Sequence, residues 1–83
     1  MRIPWAQSLK DRRQVARSLV QRLGRQPNLA VAELAADDDP RRLDLGLAAV
    51  SGSPSHARQL VEAAIVEIER EGYDLEVRQN GER

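Results

Sequence analysis

The chain has 83 residues, of which 41% are hydrophobic and 31% charged; Trp5 and Tyr73 are its only aromatic residues, and it has no cysteine. That length allows one domain with one core, and the lack of cysteine excludes disulfides and thiolate metal sites together. Formal neutrality conceals a division: the first 26 residues hold seven cations (Arg2, Lys10, Arg12, Arg13, Arg17, Arg22 and Arg25) and one anion, Asp11, for a net charge of +6, whereas the other 57 residues net −6. Such asymmetry points to a polyanionic partner or to self-association, not to any chemistry. The opening Met1–Trp5 has no apolar core of a signal peptide, and no run approaches the ~20 apolar residues of a membrane span, so the expected setting is soluble and cytoplasmic.

The first predicted element is a helix over 9–23. Ser8 stands as its N-cap, and Asp11 three residues on can reach back toward the exposed N–H groups at the positive end of the helix dipole. Val15, Ala16, Leu19, Val20 and Leu23 form one apolar stripe, and Gly24 followed by Pro27 supplies the stop. Lys10, Arg13 and Arg17 stack on the opposite face, with Arg25 roughly in line and Arg22 on a flank. Arg12 projects toward the apolar side.

Strand signals follow. Residues 28–35 read as extended, although alanine is a weak strand former. Asp37-Asp38-Asp39-Pro40 ends that run, because adjacent carboxylates repel and proline lacks a donor. Leu43 to Val50 alternates cleanly, with Leu43, Leu45 and Leu47 on one face and Asp44, Gly46 and Ala48 on the other, and the two runs are expected to pair antiparallel. Gly46 inside a strand marks a bulge or a close backbone approach. Ser53-Pro54 then opens a second helix whose apolar face comprises Ala57, Leu60, Val61, Ala64, Ile65 and Ile68, with Gly72 as its left-handed end. Tyr73–Val77 is a short last strand, and residues 79–83 form a polar tail.

With the stub Met1–Trp5 as a first strand, this order becomes βαββαβ. The expected fold is therefore a single α+β, ferredoxin-like domain over 1–78, two helices covering one face of an antiparallel sheet. A first strand ending at Pro4 is short for a central position, so the sheet is expected to be incomplete, with the gap filled by residues upstream of Met1 or by a partner chain.

The residues also carry a family resemblance. Arg2-Ile3-Pro4, Ser8-Leu9-Lys10-Asp11-Arg12-Arg13, Asn28 to Glu33, Leu45-Gly46 to Ser51, and His56 resemble in order and spacing the YlxP-like proteins, a bacterial family catalogued as a domain of unknown function. The most specific part is the Ser-Leu-Lys-Asp-basic-Arg opening of the first helix. The resemblance implies a ferredoxin-like fold. Because YlxP-like genes often lie beside those for translation initiation factor two and ribosome-binding factor A, it also implies a role near the ribosome or RNA. The chain departs from the family in its short first strand and in its loop, where Ala36-Asp37-Asp38-Asp39-Pro40 replaces a usual aromatic-bearing segment.

Candidate sites reduce to one cationic surface. Lys10, Arg12, Arg13 and Arg17, then Arg25 and Arg42, are the expected nucleic-acid-binding residues, and a solvated helix face is the alternative account of the same row. With two aromatic rings in the chain, a stacking platform for bases is not expected, so RNA would be read through its backbone and shape. Three consecutive aspartates cannot all turn toward one cation, and His56 has neither a cysteine nor a second histidine as partner, so no metal site is expected. The serines fit caps and turns, and no pair of groups is spaced for acid–base or nucleophilic work. The expected function is a non-enzymatic binding module without cofactor, associated with ribosomal RNA or the ribosome. The alternative is a protein-interaction module or homodimer that uses an exposed sheet edge or face; a small-ligand regulatory domain is a third reading.

Overall fold

A computed structural model of the chain describes residues 1–34 and 37–78. Ala35 at the end of one expected strand, Ala36 at the start of the acidic loop and the polar tail 79–83 lie outside them. The element order is α1 (Leu9–Leu23), β1 (Leu29–Glu33), β2 (Leu45–Ala49) and α2 (Pro54–Arg70), an α+β chain with two helices and a two-stranded antiparallel sheet.

Both helices start where local chemistry dictates. Ser8 Oγ accepts from the Asp11 N–H at 3.1 Å, while the Asp11 carboxylate accepts from the Gln7 N–H at 2.9 Å, one residue further back than a standard capping box. At α2, Ser53 Oγ accepts from the His56 N–H at 3.3 Å and Pro54 occupies the first turn, where no N–H is needed. The helix ends differ from each other. Gly24 caps α1 in a right-handed conformation (φ −69°), and the left-handed residue of that connection is Asn28 (φ 67°), a residue type whose short polar side chain tolerates this region. At α2 the reversal falls on Gly72 (φ 89°), as the sequence predicts.

Leu29 lies opposite Ala49, Val31 opposite Leu47 and Glu33 opposite Leu45. Period-two alternation therefore turns Leu43, Leu45 and Leu47 to the helices and Asp44, Gly46 and Ala48 to the open face. Ile3, Leu19 and Leu43 are fully buried at the centre of the core; Val15, Ala16, Leu23, Leu29, Ala64 and Ile68 surround them. Leu45 and Leu47 pack against this cluster but stay half-buried. On the open face the side chain of Leu34 lies over Gly46, where a Cβ would stand 3.1 Å from Leu34 Cδ2. The approach at Gly46 is thus made by the tip of a half-exposed side chain rather than by backbone.

The expected first and last strands are reduced to single bridges. Arg2 bridges Arg42 on one side and Asp74 on the other, both antiparallel. The Arg2 N–H donates to the Asp74 carbonyl at 2.8 Å, the Ile3 N–H to Arg41 at 2.8 Å and the Leu43 N–H to Met1 at 3.0 Å. Pro4, which has no donor, then turns the chain. The strand expected over 73–77 is likewise one bridge, at Asp74.

Candidate functional site

The first turns of α1 sort its cations by position. Lys10, Arg13 and Arg17 project from successive turns of the outer face and are all exposed. Among the described residues none of the three has an ion-pair partner within 4 Å. Arg13 and Arg17 border a shallow groove of about 280 Å³, with Ala16 and Val20 as its floor and Glu33 of β1 on the far side.

Arg12 faces inward, as its helical angle predicts, and Nη1 donates to the carbonyl oxygens of Asp37 at 2.7 Å and Asp39 at 2.8 Å. Its Nε is buried without a partner among the described residues. The guanidinium thus holds the acidic loop against the start of α1. Arg25 lies beyond the end of α1 beside a second groove, of about 260 Å³, whose floor includes Leu23, Leu29, Leu60 and Ala64.

Arg42 lies on the open face of the sheet, alternate to buried Leu43. It donates from Nε and Nη2 to the two carboxylate oxygens of Asp44, each at 3.2 Å. This two-pronged contact holds the Asp44 carboxyl below its ordinary range, with partial desolvation working against it, and keeps Arg42 more firmly protonated. Arg2 Nη1 lies 3.5 Å from Asp39, and Arg22 pairs with Glu71 to join the ends of the two helices. Of the six sequence-predicted residues, the fold brings Lys10, Arg13 and Arg17 into one row, engages Arg12 and Arg42 internally, and sets Arg25 apart.

The acidic loop is shaped by its own backbone. Asp37 Oδ1 accepts from the Asp39 N–H and Asp39 Oδ1 from the Arg41 N–H, each at 2.9 Å, which makes two successive aspartate turns. Among the described residues no group of three or more His, Asp or Glu side chains is placed to hold a metal ion. His56 is exposed, with Nδ1 3.1 Å from Ser51 Oγ. Trp5 is 56% exposed on the turn after Pro4. No helix among the described residues is long and apolar enough to cross a membrane. Sequence reasoning missed the loop-anchoring contacts of Arg12, whose inward angle was the one signal of them.

The chain matches no curated protein and no solved structure. One family model matches residues 1–80, and its description is "Protein of unknown function (DUF503)".

Proposed function

Because the chain belongs to the DUF503 family, proteins of unknown function, we propose its role from its surface: a non-enzymatic module that binds the phosphate backbone of RNA, at or near the ribosome, through Lys10, Arg13 and Arg17. The observation that carries this reading is the division of labour among the N-terminal cations. Arg2, Arg12 and Arg22 are engaged within the chain, whereas the outer row of α1 is exposed on successive turns and free of acidic partners among the described residues. A row of that kind offers positive charge to successive phosphates of a polyanion whatever its base sequence. The YlxP-like resemblance supports the same assignment through its link to translation genes.

The bridges of Arg2 support a ferredoxin-like arrangement. Residue 2 bridges residues 42 and 74, and β1 pairs with β2; on this reading these are the remains of a βαββαβ sheet whose first and last strands have shrunk to one bridge each.

The test is fluorescence anisotropy with labelled ribosomal RNA fragments, comparing the wild type with Lys10→Glu/Arg13→Glu/Arg17→Glu at low and near-physiological salt, after both are shown to be folded. Salt-steep binding that the triple variant loses supports the reading. No binding, or binding unchanged in the variant, overturns it.

A further inference from the structure

The free edge of β1 carries an inference beyond the phosphate-binding row. The Val50 N–H donates to the Asn28 carbonyl at 2.9 Å and the Leu34 N–H to the Asp44 carbonyl at 2.8 Å. With the register of β1 and β2, these bonds make 28, 30, 32 and 34 the residues that bond across the pair, so 29, 31 and 33 turn their N–H and C=O groups to the opposite edge. The Leu29 N–H is taken by Gln26 at 3.3 Å. The N–H and C=O groups of Val31 and Glu33 have no backbone partner among the described residues.

An edge of this kind is a template for another strand, and natural chains usually cover or charge it. Here the neighbour is the groove between α1 and β1, with Ala16 and Val20 as its floor and Arg13 and Arg17 on its helical wall. Two guanidiniums against the single carboxylate of Glu33 leave the groove cationic. A second copy paired edge to edge would bring two sets of these arginines toward each other across the two-fold axis, which like-charge repulsion disfavours. A strand bearing carboxylates meets them with opposite charge.

We propose that the free edge of β1 and the groove lined by Arg13 and Arg17 dock an extended acidic segment of a protein partner, which adds antiparallel or parallel to Val31 and Glu33 as a further strand. The backbone groups supply the hydrogen bonds, and the arginines select acid over neutral or basic sequence. This does not rest on RNA binding. Because the two ligands share Arg13 and Arg17, they compete.

The probe is a blocked heptapeptide alternating threonine and glutamate, with a version carrying lysine for glutamate as control and poly(U) in parallel. Binding is followed by amide shifts and hydrogen exchange of the ¹⁵N-labelled chain. The expected result is binding of the acidic peptide with new protection at the Val31 and Glu33 N–H groups, while Ala30 and Ala32, already bonded to β2, change little. Arg13→Glu/Arg17→Glu should weaken it at least tenfold. So should Val31→Pro, which removes an outward donor at an edge where proline is tolerated. Lys10→Glu, outside the groove, should weaken poly(U) and leave the peptide unchanged. The proposal is overturned by no peptide binding, by equal binding of the lysine version, by binding without protection at 31 and 33, or by a concentration-dependent dimer that protects those amides without peptide. Poly(U) binding beside a silent peptide sinks this inference alone; the reverse sinks only the RNA reading.

Discussion

Arg12 Nη1 lies 2.8 Å from the carbonyl oxygen of Asp39, 27 positions further along the chain. With the neighbouring bond to Asp37, this contact fastens the acidic loop to the first turn of α1. A charged donor serving these two carbonyls, with that of Arg42 a weaker third at 3.4 Å, is a partly exposed tie, so Arg12→Ala should cost about 1–2 kcal/mol and Arg12→Lys, which lacks the planar fork, only somewhat less. Urea denaturation of the three proteins measures it. Arg13→Ala, on the outer face, should change stability by less than about 0.5 kcal/mol, so the adjacent arginines separate a structural role from a binding one.

Core substitutions should separate by depth. Leu19 is 1% exposed between α1 and the sheet, and Leu19→Ala should cost about 2–5 kcal/mol, enough to threaten a domain of this size. Leu45 is half-buried, and Leu45→Ala should cost roughly half as much. Equal losses at the two positions would mean that Leu45 is more deeply packed than its exposure indicates.

RNA binding should report the number of phosphates met. Three contacts on a single strand correspond to a slope of about −2 in log affinity against log salt, about −0.7 per contact. Arg17→Ala should make that slope shallower by about 0.7 and weaken all sequences alike. A sequence-dependent loss would point instead to base contacts.

Tyr73 is the single tyrosine, so its ionisation can be followed alone in the near ultraviolet. Burial raises its pKa above the ordinary value of 10.0, with the charge of Glu71 adding and that of Arg22 opposing. Folding therefore favours the protonated phenol. Its contribution to stability is complete below the unfolded value and is lost as pH rises through the folded one. Removing the positive charge with Arg22→Gln should move the titration midpoint further up; a midpoint at or below 10 in the wild type contradicts the burial of the ring.

Much of this architecture was legible because its signals are local. Ser8 with Asp11, Ser53 with Pro54, and Gly72 each act within one helical turn, and α1 and α2 begin and end within a residue or two of where those residues place them. The alternation of Leu43, Leu45 and Leu47 likewise names the buried face of β2. Less legible were the first and last strands, since whether residues 73–77 form a ladder depends on a partner some 70 residues away, and that partner is interrupted by Pro4. Arg12 shows the same limit. Its acceptors are backbone carbonyls, which every residue possesses and which leave no mark in the sequence. The candidate row at Lys10, Arg13 and Arg17 was readable from helical spacing, whereas the open edge beneath it emerged only from the hydrogen-bond phase of β1 against β2.

The position of Arg2 between Arg42 and Asp74 also dictates an order of events. Ile3 beside it is among the most deeply buried side chains, yet the backbone that encloses this segment on its far side arrives only with residue 74. On a ribosome, α1 and the β1–β2 hairpin can form from neighbours as they emerge, and the segment at residues 1–3 can bond to residues 41–43 once these are made, but its other side stays open until α2 has been made and the chain has returned. Loop closure over such a distance slows folding relative to the local elements. Loss of the residues around Asp74 would therefore open one flank of the opposite end of the chain.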